Sequence, residues 1–319
     1  MSKGRLIMII AAVVIGALAL LIGGFVAATW APERTVEDLR RRWAPPPSVF
    51  ADVAGMKVHL RDEGPRDDPH PIVLLHGSAD SLLSWEGWAQ ALKGKRRVIR
   101  FDLPGFGLTG PSPDHVYGIE SDMRVLLAML DHLGIESCVL GGNSLGGALA
   151  WRTALLYPSR VEKLILVDSG GYPFTGSRSV PIGFLITRLP VIPWLLQNSL
   201  PRSLVEQGLR TAYGDPGKVT PELVDRYQEL MQRQGNRQAL LERFRQMRSG
   251  TFAQRIPELK LPTLIIWGGR DRMIPLVNAE RFHHDIAGSK LVIFDDLGHV
   301  PHEEDPARTA QAVQQFLDL

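Results

Sequence analysis

Ser144 lies in Gly142-Asn143-Ser144-Leu145-Gly146, a G-x-S-x-G pentapeptide. A serine hydroxyl is a weak nucleophile until a base takes its proton, and that base needs an acid to orient it. The pentapeptide alone says little in a chain with 31 glycines. Its setting says more. It follows the apolar run Cys138-Val139-Leu140 and opens a helical pattern over 145–157. Strand, sharp turn and helix in that order make a nucleophile elbow, in which the serine backbone is strained and the flanking glycines admit close approach. The competing reading is a glycine-rich turn with a capping serine.

Nine histidines are available as the base. His299 follows the run 291–294 and the loop Asp295-Asp296-Leu297-Gly298, just ahead of the last helix. From there a ring can reach back over the carboxyl edge of a sheet. His302 is its rival. The acid is expected at Asp271, which follows the run 264–267 through Gly268-Gly269-Arg270; Asp168, after the run 164–167, is the alternative. The order Ser144, Asp271, His299 is the order in which such a triad occurs on an open parallel sheet.

A developing oxyanion needs two backbone donors. The N–H of Leu145 at the helix start is one, and the N–H of Ser78, in the loop His76-Gly77-Ser78 after the run 72–75, is the other. His76 reads as a ring that holds this loop. His76, Gly77 and Trp85 are candidates for the substrate pocket. Asp102 reads as a structural turn residue, and lone Cys138 as a buried packing residue. One cysteine excludes an internal disulfide framework and a cysteine-based metal site. The chemistry calls for no metal and no organic cofactor.

Short apolar runs at 49–53, 56–61, 72–75, 98–101, 138–141, 164–167, 264–267 and 291–294 read as strands, the first two as an antiparallel hairpin. Helical stretches at 84–92, 119–133, 145–157, 277–286 and 306–317 alternate with them. This predicts an α/β fold, a doubly wound and mostly parallel sheet. The rhythm breaks over 172–255, where helical stretches are expected at 181–189, 193–200, 221–234 and 237–247. That interval is expected to be a helical cap inserted into a core of 49–171 and 256–319. Its apolar piece 182–196 packs on the sheet domain, lines a substrate tunnel or touches a membrane.

The first thirty residues differ in kind. Residues 6–28 carry no charge and no proline; at ~1.5 Å per residue they reach roughly 35 Å, enough for a hydrocarbon core of ~30 Å. Lys3 and Arg5 precede the run and Trp30 comes after it. An uncleaved anchor over 1–30 is expected, with a cleaved signal peptide as the alternative. Positive charges flank both ends, so their count leaves orientation open. The short basic tail resembles a signal-anchor, which puts the rest of the chain outside the cytoplasm. Residues 31–48 read as a stalk, with a short helix opening at Thr35 and Pro45-Pro46-Pro47 as a spacer. Its Arg40–Arg42 run reads equally as a contact to anionic lipid or as a solvated face. A net charge of +2 over 319 residues gives no electrostatic case for nucleic acid.

Over roughly residues 48–318 the chain resembles the α/β-hydrolase superfamily. The resemblance rests on His76-Gly77, Asp102-Leu103-Pro104-Gly105-Phe106-Gly107, Gly142-Asn143-Ser144-Leu145-Gly146-Gly147, Trp267-Gly268-Gly269-Arg270-Asp271 and Gly298-His299. The block around His76 and Trp85 looks like haloalkane dehalogenases and epoxide hydrolases, but those carry an aspartate at the elbow where this chain has Ser144. Block 142–147 is also similar to hydrolases that split carbon–carbon bonds of ring-cleavage products; they tend to carry tryptophan after the catalytic histidine, and here it is Val300. A serine elbow with an anchor resembles membrane-bound monoacylglycerol lipases and related esterases. The resemblance implies a serine hydrolase for hydrophobic or lipid-like carboxylic esters. The alternatives are a carbon–carbon hydrolase and a ligand receptor of low turnover.

Overall fold

The computed structural model describes residues 2–173, 194, 197–246 and 252–319. Eight strands form one sheet: β1 Val49–Val53, β2 Met56–Glu63, β3 Ile72–Leu75, β4 Val98–Phe101, β5 Cys138–Asn143, β6 Val161–Val167, β7 Thr263–Gly268 and β8 Lys290–Phe294. Their order is β1-β2-β4-β3-β5-β6-β7-β8. β2 runs antiparallel to β1 and to β4; every other pairing is parallel.

The central strands are apolar on both faces because both faces are covered. Val73 and Leu75 join Leu126, Leu149 and Phe282, from helices Ile119–His132, Leu145–Leu156 and Val277–Asp285. Ile72 and Leu74 point the other way, to Trp88 of helix Glu86–Leu92 and to Val313 and Phe316 of helix Pro306–Leu317.

Strand ends depart from the sequence reading where charge is buried. β2 continues two residues past 61 because Asp62 and Glu63 are paired inside the sheet edge: Arg97 donates to Asp62 at 2.9 and 3.0 Å, and Arg100 donates to Glu63 at 2.6 Å. β6 begins three residues early, at Val161. The stretch 84–92 divides into a 3-10 turn Leu82–Trp85 and the helix Glu86–Leu92. A four-residue helix Pro301–Glu304 precedes the last one.

Between β6 and β7 lie helices Arg202–Ala212, Pro221–Met231 and Asn236–Gln246. The stretch expected at 181–189 lies outside the described residues, as does the apolar piece 182–196 except for Trp194, which is exposed.

The N-terminal helix Lys3–Thr29 is long and apolar enough to cross a membrane, with a mean hydropathy of 3.0 over its most apolar 18 residues. The segment after it, expected as a stalk, is not a free spacer. Helix Val36–Trp43 starts with the expected capping box of Thr35 and Asp38, and it lies along the helical insertion. Leu39 is fully buried against Leu108 and Leu230. Arg42 pairs with Asp225 and Glu229, Arg34 pairs with Glu229 at 3.1 Å, and Trp43 donates its indole N–H to Glu229 at 2.7 Å. The end of the N-terminal helix is tied as well: Leu200 donates its N–H to the Thr29 carbonyl at 3.1 Å, and the two hydroxyls of Thr29 and Ser199 bond at 2.5 Å. These polar partners of the strap lie more than 150 positions away, beyond the reach of local pattern.

Removing the Leu39 side chain should release the strap. A buried leucine truncated to alanine loses about 2–5 kcal/mol. Leu39→Ala should therefore speed trypsin cleavage at Arg40, Arg41 and Arg42 by at least about tenfold. Unchanged cleavage would mean that the strap is not held by this contact.

Candidate active site

Ser144 caps the helix that leaves β5, with φ 53° and ψ −111°. A non-glycine residue there is strained and must be held. Its N–H donates to the Val167 carbonyl at 3.1 Å, and its own carbonyl accepts from Ala148 at 3.0 Å and from Gly170 at 2.9 Å. The expected glycines are needed for space: a Cβ on Gly142 would lie 2.3 Å from the Gly146 carbonyl carbon, and one on Gly146 would lie 2.1 Å from the Leu75 oxygen. Ser144 and Leu145 keep partial exposure. The Leu145 N–H falls in the first helical turn, where backbone donors lack an intrahelical acceptor. The loop after β3 lies against this elbow, since a Cβ on Gly77 would sit 3.3 Å from the Ser144 Cβ. Ser78 beside it is exposed.

His299 and Asp271 meet. The His299 Nδ1 and Asp271 Oδ2 atoms are 2.7 Å apart, and both side chains are buried. The other oxygen of Asp271 accepts the N–H groups of Met273 at 2.7 Å and Ile274 at 3.0 Å, so the turn that carries the acid also fixes it. Two residues that sequence reasoning missed hold the histidine loop. Asn143 donates to the His299 carbonyl at 2.9 Å and to the Val167 carbonyl at 3.2 Å. It ties the histidine loop to the residue before Ser144, and its signal was hidden in the variable position of the pentapeptide. Glu304 accepts the N–H groups of Gly298 at 2.8 Å, Gly214 at 2.9 Å and Asp215 at 2.9 Å. It thereby joins the histidine loop to the helical insertion. In sequence it resembles an ordinary acidic residue at a helix start.

Asp168 lies beside this pair. One oxygen accepts the Gly268 N–H at 3.0 Å. Ligating atoms of Asp168, Asp271 and His299 all fall within 4.8 Å of one another, although the facing atoms of His299 and Asp271 are already spent on each other. Burial, then the neighbouring Asp271 charge, pushes the Asp168 carboxyl well above the usual carboxylate range.

The rival histidine has no acid. His302 is fully buried and stacked on Trp85 at 3.9 Å, with no hydrogen-bond partner on either ring nitrogen. Trp85 itself packs with Trp88 and is wholly buried, a core residue rather than an open pocket wall. His76 is also buried: one ring nitrogen meets the Gly77 carbonyl at 2.7 Å and the other accepts the Leu103 N–H at 2.9 Å, which holds the loop as expected. Cys138 is buried, and its thiol is pushed up to about 12 by that burial.

Asp102 is a turn residue, but it also completes a second Ser–His–Asp chain that the sequence hid. Ser48 Oγ lies 3.0 Å from His59 Nε2, and His59 Nδ1 lies 2.7 Å from Asp102 Oδ2. Asp102 accepts the N–H groups of Leu82 and Leu108 as well, each at 2.7 Å. Ser48 accepts from the Arg61 Nε at 2.9 Å and precedes a strand, with no helix N-terminus behind it. Hydrogen bonding alone does not set Ser144 apart from Ser48; the strained turn at the head of a helix does.

Residues 70–306 match the alpha/beta hydrolase fold family. The chain is 31% identical over 274 residues to the 2-hydroxy-6-oxo-2,4-heptadienoate hydrolase of Pseudomonas putida (strain F1), covering 82% of this chain and 93% of that one. It superposes on a meta-cleavage product hydrolase from Pseudomonas fluorescens IP01 with a TM-score of 0.73 and 27% identity, over 85% of this chain and 97% of that one. A bacterial membrane phospholipase A aligns over 99% of this chain and 98% of its own, with a TM-score of 0.74 and 23% identity. At that identity the likeness speaks for the fold, N-terminal helix included.

His302 gives a pH signature. Burial holds it well below its usual range, so the folded chain keeps it neutral. The unfolded chain protonates it near pH ~6.5. Below that pH the unfolded state binds the extra proton, and folded stability falls by up to about 1.4 kcal/mol per pH unit. His302→Phe keeps a ring on Trp85 and removes this term. The Tm difference between variant and wild type should therefore move in favour of the variant from pH 8 to pH 5. A difference that does not change with pH would mean that His302 is not held neutral.

Proposed function

The chain is a hydrolase of the alpha/beta hydrolase fold family, and within it we propose that Ser144, His299 and Asp271 form the triad of a membrane-anchored serine esterase. The observation that carries this reading is the junction of two loops: Asn143, adjacent to the strained Ser144, holds the backbone of His299, whose ring is bonded to Asp271.

His299 takes the Ser144 proton while the serine oxygen attacks the ester carbonyl. Negative charge then grows on the carbonyl oxygen, which the N–H groups of Leu145 and Ser78 receive, aided by the helix dipole behind Leu145. Asp271 stabilises the imidazolium and fixes its tautomer. The imidazolium gives its proton to the departing alcohol and leaves an acyl-serine. His299 next removes a proton from water, which attacks the acyl carbon, and the acid leaves as Ser144 regains its proton. These side chains complete the cycle without metal or organic cofactor.

The surroundings support a hydrophobic substrate class. The helices between β6 and β7 are read as a cap, and the pocket between them and the loops after β3 and β4 is lined by Ala79, Phe106, Leu230, Met231 and Leu240, with Asp80, Asn236 and Arg237 among them. Such a mixed lining suits an apolar chain that carries a polar group. The helix Lys3–Thr29 keeps the enzyme on a bilayer as an uncleaved anchor, with the catalytic domain outside the cytoplasm, so that hydrophobic or lipid-like esters reach the cleft. One observation favours a second reading: the relative from Pseudomonas putida is named for a dienoate substrate, and the same triad would serve the cleavage of a carbon–carbon bond in a vinylogous ketone.

The full chain in detergent micelles should hydrolyse p-nitrophenyl butyrate and laurate, and Ser144→Ala should lower kcat/KM by at least about 10³-fold. A fluorophosphonate probe should modify the peptide containing Ser144 and leave Ser48 unlabelled. Turnover of a ring-cleavage dienoate with none of either ester would replace the esterase reading by the second one. Full turnover by Ser144→Ala would end both.

A further inference from the structure

Two carboxyl groups, from the ends of adjacent strands, converge on one imidazole. Asp168 follows β6 and Asp271 follows β7, and together with His299 they form a cluster within 4.8 Å. Asp168 is completely buried. Its backbone is left-handed, with φ 43°, a conformation that aspartate tolerates better than most residues but that still has to be held. The hold comes in part from its own side chain, which accepts the Gly268 N–H at 3.0 Å. Its second oxygen, Oδ2, is buried and meets no donor. Asp271 shows the opposite: its two oxygens receive His299, Met273 and Ile274.

A buried carboxylate oxygen with no donor is costly, and a second full charge beside Asp271 compounds the cost. One proton removes both problems. Placed on the orphan oxygen, it turns an acceptor into a donor and leaves Asp271 as the single charge facing His299. Resting on the triad reading above, we propose that Asp168 is a reserve acid, held protonated beside Asp271 in the intact protein and taking over as the acid for His299 when Asp271 is removed.

The exchange follows from charge. Like charges at one site oppose each other's ionisation. With Asp271 gone, the like charge that opposed ionisation of Asp168 is removed; burial still opposes it, and the imidazolium formed during catalysis favours it. The carboxyl gives up its proton and becomes the anion that stabilises the cation, from a position already within reach of the ring. Asp168 is therefore nearly silent in the intact protein and decisive in its neighbour's absence.

The test is a double-mutant cycle in the full chain, with p-nitrophenyl butyrate as the probe, fluorophosphonate labelling rates as a second readout and Tm as the fold control. Asp168→Asn should stay within about fivefold of wild type. Asp271→Ala should lose about 10²-fold, and the double variant about 10⁴-fold, the loss expected when the imidazole has no acid. The cost of removing Asp168 is thus large only when Asp271 is absent, whereas a merely structural role would cost the same factor in both backgrounds and would follow Tm. Asp271→Asn, which keeps the outline of the side chain, repeats the cycle if the alanine variant does not fold. The proposal is overturned if the single Asp271 variant is already as inactive as the double, or if Asp168→Asn costs the same in both backgrounds. Ser144→Ala, assayed in parallel, separates the two readings: turnover there removes the triad, while its loss without coupling between the aspartates removes only the reserve acid.

Discussion

The backbone of Ser144 is the constraint on which the rest of the structure depends. At φ 53° and ψ −111° a serine is held against a cost of order 1–3 kcal/mol. That conformation survives only because its surroundings over-determine it. The Val167 carbonyl fixes its N–H, and the N–H groups of Ala148 and Gly170 fix its carbonyl. β5 and β6 are paired right up to Asn143 and Val167, so the frame around the strain is the centre of the sheet. The same frame holds His299, because Asn143 spans Val167 and His299 at once. The strain at Ser144 and the location of His299 thus share one anchoring residue.

What was legible in the sequence depends on the distance over which each interaction acts. Apolar runs such as Ile72-Val73-Leu74-Leu75 announce strands, since burial on both faces demands apolar residues at every position. The elbow was legible because Gly142 and Gly146 answer to backbone atoms a few residues away or on the neighbouring strand. The Asp271–His299 contact was expected from chain order and is present. Elements that rely on charged residues inside the fold were obscured. Asp62 and Glu63 look like a loop and are strand, because Arg97 and Arg100 neutralise them from across the sheet. The bonds of Glu304 to Gly214 and Asp215, of His59 to Asp102 and of the strap to the insertion are long-range, and no local pattern encodes a partner that distant.

The seam between the helical insertion and the sheet domain shows what buried charge contributes. Arg243 clamps Asp122 at 2.5 and 2.9 Å and the Pro104 carbonyl at 2.9 Å. Arg226 pairs with Glu303, which also accepts from the Tyr227 hydroxyl at 2.8 Å. Glu304 gathers amides from both sides. Ion pairs of this kind add little net stability over apolar packing, yet breaking one leaves an uncompensated charge. They tie the insertion to the sheet domain at Pro104, Asp122, Glu303 and Glu304.

The strap gives the N-terminal helix mechanical meaning. Twenty-seven residues at ~1.5 Å each make a rod of about 40 Å, longer than a hydrocarbon interior of ~30 Å, and such a rod leans by an amount that the bilayer's thickness dictates. A slack leash would absorb that lean. Here the rod's end is bonded to residues 199 and 200, and the strap behind it is pinned at Glu229. In a bilayer, therefore, thin and thick lipid would present the mouth of the cleft at different angles to the headgroup plane.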